Sequence, residues 1–419
     1  MEVKENNFIQ VFEHDYLKVG EQGFGPAHFD ALVRLNEQHG NKYFTVGLKR
    51  IKFNSYVGVL QVKGKTIEVL PKADKTGSTD SAKKKWKSAL LSMLKVCKGI
   101  DLHPVSNANL SLKKSSLLDL YVNNFLKEVD TLLHKGLIKK YRREKENSLA
   151  LKGKLIFSEH ISKNYIHKER FYTEHQTYDS DVLLNQILKR ALVILRQVSY
   201  SSSIRSKVHS MLLHFDGIAD VQIKEAHLNS LPTLNHKTSH YETALQLARL
   251  IILQYNPDFS SGQENTIALL LDMNELFEEY IYEILRKELN STNYKGYSIK
   301  TQSKRLFWGN QTIRPDIILT NIVGKKIVID TKWKIVNDYR PSDADLKQMY
   351  AYNIHFGASK SILLYPKSLV DIPLLSNFHK SVLMKAEHSC GLFFADIFEN
   401  DGKLKANAAR NILNYAYSN

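Results

Sequence analysis

Two apolar segments in the last third of the chain carry the residues best suited to chemistry. The first opens with Asp316, and the second ends with Asp330, Thr331 and Lys332. Mg²⁺ takes oxygen ligands and is usually held by one or two carboxylates plus a substrate phosphate. Asp316 and Asp330 are therefore candidate metal ligands. Lys332 is a candidate catalytic residue, because its charge could stabilise the attacked phosphate or help to deprotonate the attacking water.

Strand geometry explains how these side chains could meet. Alternation along a strand puts Asp330 and Lys332 on one face and Thr331 on the other. The connecting segment 321–324 ends in a glycine suited to a tight turn, which predicts a hairpin. The hairpin would set Asp316 and Asp330 on neighbouring strands. The carbonyl of Thr331 then becomes a third candidate metal ligand.

The Asp-x-Lys triplet is not specific by itself. With 43 acidic and 59 basic residues in 419, an acidic-x-basic triplet should occur about six times by chance. The pattern is narrower when three further features are required. These are a Pro-Asp that opens an apolar strand, a short spacer, and a second apolar strand that ends in the triplet. A surface hairpin with solvated charges remains an alternative at this point.

A helix predicted over 274–289 precedes these strands, with Asn274 as its expected N-cap. Glu278 shares its inner face with Ile281 and Leu285. An inward carboxylate needs a metal, a cation or a hydrogen-bond partner, so Glu278 is a candidate catalytic residue. The alternative is a partly buried glutamate at the edge of the helix.

A second helix is predicted over 343–356, after a start at Ser342 that resembles a capping box. Gln348 and Tyr352 lie on one face of this helix. Both are candidate catalytic residues, because they could contact a phosphate or hold Lys332.

The element order now supports a resemblance. Strands predicted over 295–302, 312–319 and 326–333 follow the first helix, and a strand over 360–365 follows the second. This αβββαβ order, with the residues above, resembles the PD-(D/E)xK nuclease superfamily and its Gln-x3-Tyr branch. The resemblance implies that the two acidic positions bind Mg²⁺, with Mn²⁺ as a substitute. It also implies that the Lys is catalytic and that the helix Glu assists.

Composition sets broader limits. The net charge of +16 and the pI of about 9.4 suit a polyanion such as DNA, although ribosomal and membrane-surface proteins share this balance. Two cysteines are too few for a disulfide framework, and the first residues lack the apolar core of a signal peptide. No apolar run is long enough to span a bilayer. We therefore expect a cytoplasmic protein.

The predicted fold class is α/β, or α+β overall, in three domains. These are a β-rich N-terminal domain over 1–110, a helical middle region over 111–255 and a nuclease domain over 256–419. Residues 58–66 resemble a phosphate-binding loop, but the glycine spacing is one residue too long and the alternation is that of a strand. Nucleotide binding by this chain is not expected.

A more specific resemblance spans nearly the whole sequence. Short motifs occur in the order found in McrC-type subunits of modification-dependent (5-methylcytosine) restriction systems: 56–59, 68–72, 136–141, 151–155, 181–185 and 273–278. The resemblance implies that the C-terminal domain cuts DNA. It further implies that the N-terminal domain docks into a hexamer of an McrB-like AAA+ GTPase, which recognises double-stranded DNA carrying modified cytosine, and that the chain stimulates GTP hydrolysis.

Two other functions remain open at this stage. A stand-alone structure- or end-specific nuclease would cut DNA without any nucleoside triphosphate. A non-catalytic adaptor of an AAA+ ring would show no cleavage under any condition, although the complete set of candidate ligands argues against it.

Overall fold

The computed structural model describes residues 8–72, 79–98, 116–198, 202–231, 233–253, 255–256, 266–291, 294–336, 340–367, 373–379 and 387–417. The chain forms two compact units. Unit 1 comprises Met1–Leu120 with Ala268–Asn419, and unit 2 comprises Tyr121–Ile267. The first and third predicted domains thus contribute to one unit, and the three-domain boundaries stay a prediction.

The chain contains both helices and strands, in keeping with the predicted mixed fold class. The helices are α1 (Pro26–Gln38), α2 (Asp80–Lys98), α3 (Leu117–Lys135), α4 (Phe157–Lys163), α5 (Leu183–Val198), α6 (Ser202–Leu213), α7 (Glu225–Asn229), α8 (Glu242–Leu253), α9 (Met273–Leu289), α10 (Asp343–Phe356) and α11 (Ala408–Tyr417). The strands are β1 (Phe8–Phe12), β2 (Tyr16–Lys18), β3 (Phe44–Gly47), β4 (Arg50–Phe53), β5 (Tyr56–Val62), β6 (Lys65–Leu70), β7 (Lys140–Ser148), β8 (Lys154–Leu155), β9 (Phe171–Asp179), β10 (Tyr255–Asn256), β11 (Thr266–Asp272), β12 (Ser298–Thr301), β13 (Arg305–Trp308), β14 (Gln311–Ile313), β15 (Ile317–Thr320), β16 (Lys326–Thr331), β17 (Ala358–Pro366), β18 (Leu374–Asn377) and β19 (Ser389–Ala395). Among the helices of the described residues, none is long and apolar enough to cross a membrane.

In unit 1, the N-terminal strands form a sheet in the order β1-β6-β5-β11. Strands β5 and β6 form an antiparallel hairpin, so these residues are in strands, as the alternation predicts, and the turn between the strands falls at 63–64. Gly58 adopts φ +137°, and a Cβ there would lie 2.0 Å from the Leu269 carbonyl oxygen. Because no side chain fits at that distance, the glycine permits β5 and β11 to approach.

The rest of unit 1 contains the predicted nuclease core. Six strands form a sheet in the order β12-β15-β16-β17-β19-β18, in which β16 and β17 are parallel and α10 connects them. Met349, Tyr352 and Phe356 on α10 pack onto the sheet, because spacings of three and four place them on one helical face. The αβββαβ order is therefore confirmed.

Two details of this core differ from expectation. The strand predicted over 312–319 is split, because Pro315 has no N–H for a sheet ladder. Residues before it form β14, which pairs with β13 in a separate two-stranded hairpin, and residues after Asp316 form β15. The N-cap of α9 is Asp272 rather than Asn274, since the Asp272 carboxylate accepts the Asn274 N–H at 2.8 Å.

Unit 2 contains the expected helices over 181–255 and also a three-stranded sheet in the order β7-β9-β8. The sequence of β7 carries charged side chains on both faces, so it reads as a solvated run and gives no strand signal. Asn185 is fully buried, and its amide donates to the carbonyls of Ile138 and Ser180 at 2.9 and 2.8 Å. The motif at 181–185 therefore has a structural role within this unit.

Candidate active site

The strand pair β15–β16 brings the two candidate carboxylates together. Ile317 pairs with Ile329, so the register places Asp316 opposite Asp330. The Thr331 N–H and hydroxyl donate to Asp316 Oδ2 at 2.7 and 2.9 Å. Because the N–H and C=O of a strand residue point toward the same neighbouring strand, the Thr331 carbonyl also points to the side of Asp316. The predicted hairpin is confirmed, and all three candidate metal ligands lie at one end of it.

Asp330 is the most enclosed of these groups, at 2% exposure. Lys332 Nζ lies 2.7 Å from Asp330 Oδ2 as an ion pair, but that oxygen has no donor in hydrogen-bonding geometry among the residues described. Burial, then the nearby Asp316 charge, raises the pKa of Asp330 well above its usual value, against the opposing effect of Lys332. A cation at this carboxylate would favour its ionised form.

Lys332 lies among several polar groups. Its Nζ is 3.8 Å from Asp345 Oδ1 and donates to Gln348 Oε1 at 3.3 Å. Burial disfavours the charged ammonium, but the carboxylates of Asp330 and Asp345 outweigh it and raise the pKa of Lys332. Lys332 therefore remains a cation at neutral pH, positioned from both β16 and α10.

A chain of hydrogen bonds links α10 to the strand that carries Asp316. Gln348 Nε2 donates to the Tyr352 hydroxyl at 2.8 Å, and that hydroxyl donates to the Arg314 carbonyl at 2.9 Å. Burial, followed by the charge of Asp330, raises the pKa of Tyr352 to about 12. The hydroxyl thus stays protonated and acts as a donor. Gln348 holds the Lys332 ammonium, and Tyr352 holds the main chain at Arg314, two residues before Asp316.

Glu278 on α9 lies close enough to the site to feel its charge. Gln302 Nε2 donates to Glu278 Oε1, and the Gln302 N–H donates to the Asp316 carbonyl at 3.1 Å. Burial and then the negative charge of Asp316 raise the pKa of Glu278. Glu278 is half-buried, as in the alternative of a partly buried glutamate, and its hydrogen-bond partner is the Gln302 amide.

Three contacts of the site are absent from the sequence prediction. Asp345, read only as part of a helix start, pairs with Lys334 at 2.7 Å as well as lying near Lys332. Gln302 bridges Glu278 and Asp316. The Trp333 indole N–H donates to Glu13 Oε1 at 2.7 Å. The sequence signal for Asp345 is an acidic residue that follows the Asp-x-Lys triplet. The contacts of Gln302 and of Trp333 join segments distant in the sequence and have no such signal.

Two carboxylates and a main-chain carbonyl make up the donor set of the candidate metal site. In the described part of the chain, no group of three or more His, Cys, Asp or Glu side chains is arranged to hold a metal ion. Two carboxylates, a main-chain carbonyl and substrate oxygens nevertheless match the needs of Mg²⁺, which usually keeps several waters. Asp330 Oδ2 has the ion pair with Lys332 but no hydrogen-bond donor among the described residues, which is compatible with a metal ion as a further partner.

The comparison with protein families identifies the chain. The family model described as "McrBC 5-methylcytosine restriction system component" matches residues 51–366, which is most of the sequence. The chain belongs to the McrBC family. The resemblance stated from the short motifs is thereby confirmed.

Two known proteins extend this result. The chain is 25% identical over 246 residues to "Type IV methyl-directed restriction enzyme EcoKMcrBC" of Escherichia coli (strain K12), covering 55% of this chain and 69% of that protein. It also matches a chain of a Thermococcus gammatolerans assembly of McrB AAA+ hexamers with bound McrC, with a TM-score of 0.69 at 20% identity, covering 97% of this chain and 99% of that one. The structural match supports the fold over nearly the full length of this McrBC-family chain.

Proposed function

We propose that this chain is the Mg²⁺-dependent endonuclease subunit of an McrBC-type restriction system. The observation that carries the proposal is the pairing of Asp316 with Asp330 across β15 and β16, with Lys332 Nζ 2.7 Å from Asp330. A surface hairpin with merely solvated charges is disfavoured, because Asp330 is almost fully buried.

Each side chain has a defined part in this proposal. Asp316, Asp330 and the Thr331 carbonyl would hold the metal, which when bound supplies a Lewis acid and lowers the pKa of water. Lys332 binds the attacked phosphate and offsets the charge that develops on its oxygens. Gln348 holds Lys332 through a hydrogen bond, and Tyr352 fixes the main chain before Asp316.

Glu278 has a positioning part. Through Gln302 it restrains the segment that precedes Asp316, because the Gln302 N–H is bonded to the Asp316 carbonyl. Burial and the charge of Asp316 raise its pKa, so it takes up a proton more readily than an exposed glutamate does. Contact between Glu278 and a water beside the phosphate would make it an assisting acid or base.

We further propose that the partner is a hexamer of an McrB-like AAA+ GTPase and that the substrate is double-stranded DNA with modified cytosine. The support is membership of a 5-methylcytosine restriction family and the similarity to a chain of the T. gammatolerans assembly. Docking of the partner on the predicted N-terminal domain over 1–110, and stimulation of its GTP hydrolysis, belong to the same proposal.

The test is cleavage of methylated DNA by the assembled complex with GTP and Mg²⁺, comparing wild type with Asp330→Asn. We expect the variant to cut at least about 100-fold more slowly while it still assembles with the partner. Asp343→Asn is the matched control, because Asp343 lies on the exposed first turn of α10 and pairs only outside the site, with Lys347 at 2.6 Å.

Unchanged cutting by Asp330→Asn would overturn the assignment of this site. Cutting by the purified wild-type chain without partner or nucleotide would instead favour the stand-alone nuclease. Assembly with the partner but no cleavage with Mg²⁺ or Mn²⁺ would favour the non-catalytic adaptor.

A further inference from the structure

An exposed two-stranded hairpin begins and ends beside the candidate active site. Strand β13 pairs with β14, and both are largely exposed. Just before the hairpin, Gln302 contacts Glu278 and the Asp316 carbonyl. Just after it, the Arg314 carbonyl accepts the Tyr352 hydroxyl at 2.9 Å. Both ends of the hairpin are therefore fixed by residues of the site.

One side of the hairpin is anchored on the end of α10. The Arg305 guanidinium donates to the His355 carbonyl and lies 5.1 Å above the Phe356 ring. The Phe307 ring meets the His355 ring edge-on, with centroids 5.2 Å apart. These contacts hold the hairpin against α10. The same helix carries Gln348, which bonds to Lys332.

The other side chains of β13 remain in solvent. Leu306 is 70% exposed and Trp308, at the tip, is 72% exposed. A single exposed apolar side chain is common on protein surfaces. Adjoining exposed apolar side chains on an anchored element instead indicate an interaction surface. Leu306 and Trp308 are therefore two exposed apolar side chains close together near the tip of the hairpin, while Phe307 contacts α10.

The positive charge of the same segment favours a negatively charged partner. Residues 304–314 include Lys304, Arg305 and Arg314 and contain no Asp or Glu. Cations flanking an exposed aromatic suit a polyanion whose bases or sugars offer flat apolar faces. The dimensions also fit, because a strand of four residues extends about 13 Å and the major groove of DNA, about 12 Å wide, admits a two-stranded ribbon.

We propose that the β13–β14 hairpin enters a groove of duplex DNA beside the phosphodiester that the site cuts. Trp308 and Leu306 contact bases or sugars, while Lys304 and Arg314 contact phosphates. The placement beside the cut bond rests on the proposed nuclease function, but the contact with DNA does not need cleavage. A protein partner fits less well, since the segment lacks the acidic groups that would balance its charge.

The experiment measures binding of a fluorescent duplex of about 30 base pairs to the full-length chain at low salt, with EDTA to prevent cleavage. We expect Trp308→Ala to weaken binding about 10-fold or more without lowering thermal stability, because the side chain is exposed. Leu306→Ala should act in the same direction but less. Val323→Ala is the matched control: it is 79% exposed and lies in the turn between β15 and β16, at the end remote from Asp316 and Asp330.

Equal affinity of Trp308→Ala and wild type, or no duplex binding by the wild type, would overturn the inference. So would a Trp308→Ala chain that binds DNA normally but fails to assemble with the AAA+ partner, because the surface would then bind protein. A separate result bears on the nuclease proposal alone. Trp308-dependent binding by a chain that never cleaves, with metal and partner supplied, would contradict the proposed function and leave the hairpin assignment intact.

Discussion

Among the described residues of unit 1, the buried carboxylates of Glu68 and Asp330 each pair with a lysine, and the two pairs are built differently. Glu68 is fully buried; its Oε1 accepts Lys87 Nζ at 2.9 Å and the Leu117 N–H at 2.8 Å, and its Oε2 accepts the Gln10 amide. Asp330 is equally enclosed, but its Oδ2 has only the ion pair with Lys332 and lies near further carboxylates.

This difference distinguishes the structural pair Glu68–Lys87 from the candidate catalytic pair Asp330–Lys332. The donors around Glu68 satisfy both of its oxygens, which leaves no place for a ligand. The carboxylates around Lys332 outnumber the cations close to it, so the group as a whole favours an added positive charge. Burial of an acid beside a lysine therefore does not by itself indicate a catalytic site; at Asp330 an oxygen without a donor coincides with an excess of negative charge.

The largest expected effects come from removing the lysine of each pair. Lys332→Ala should slow cleavage by the assembled complex about 100-fold to 10,000-fold and change the free energy of unfolding by about 1 kcal/mol or less, because its side chain is partly exposed. Lys87→Ala should lower the free energy of unfolding by about 3–5 kcal/mol, since it leaves a buried charge unpaired. Denaturant unfolding and cleavage per folded molecule measure the two quantities. The comparison fails if Lys332→Ala unfolds as readily as Lys87→Ala and still cuts DNA.

Glu13 sharpens the comparison as a third buried carboxylate, one that accepts no hydrogen bond from a lysine ammonium among the contacts described. Burial raises the pKa of Glu13 from 4.5 to about 7, although the Trp333 indole and the Lys72 N–H oppose the shift. Across this window the folded chain keeps a proton that the unfolded chain releases, so stability falls as pH rises, by up to about 3 kcal/mol. Glu13→Gln should remove most of that loss between about pH 4.5 and pH 7 in thermal unfolding. Glu37→Gln, at an exposed position of α1, should keep the wild-type slope; an unchanged slope in Glu13→Gln would refute the assignment.

A smaller effect is expected at the hydrogen bonds that position Lys332. Tyr352→Phe keeps the ring but loses the hydroxyl that joins Gln348 to Arg314, which should cost about 10-fold in cleavage rate. Tyr350→Phe on the same helix is the control, because the Tyr350 ring packs against Phe378 and His388 outside the site. Equal rates for both variants would remove Tyr352 from the site.

The smallest effect separates the two pairs by metal binding. Mg²⁺ at about ten times its dissociation constant should stabilise the wild type by about 1.4 kcal/mol, or about 2 °C in melting temperature. Asp330→Asn should lose this shift, while Glu68→Gln, although less stable, should retain it. A shift that survives in Asp330→Asn would place the metal elsewhere.

The local parts of the site could be predicted from the sequence. The apolar runs, the turn at Gly324 and the cap at Ser342 give β15, β16 and α10 through short-range patterns, and these place Asp316, Asp330 and Lys332 correctly in relation to one another. Glu278 and Tyr352 follow from helical periodicity. The roles of all these residues in catalysis stay predictions.

The remaining parts depend on contacts between distant segments. Nothing in the spacing of Gln302 marks it as the partner of Glu278, and the β13–β14 hairpin is hidden because its aromatic residues give the same strand signal as a core strand. The motif residues that carry the family resemblance are also largely structural: Gly58 permits a close backbone approach, and Glu68 and Asn185 satisfy buried groups.

The bond between Glu13 and Trp333 also has a consequence for biosynthesis. Unit 1 is assembled from both ends of the sequence, and the strand with Asp330 is completed only when Lys332 N–H meets the Leu364 carbonyl at 2.9 Å. A ribosome adds residues at about 5–20 per second, so the early strands emerge many seconds before their partners. A chain released before residue 364 therefore lacks the strand that completes the sheet at the candidate site.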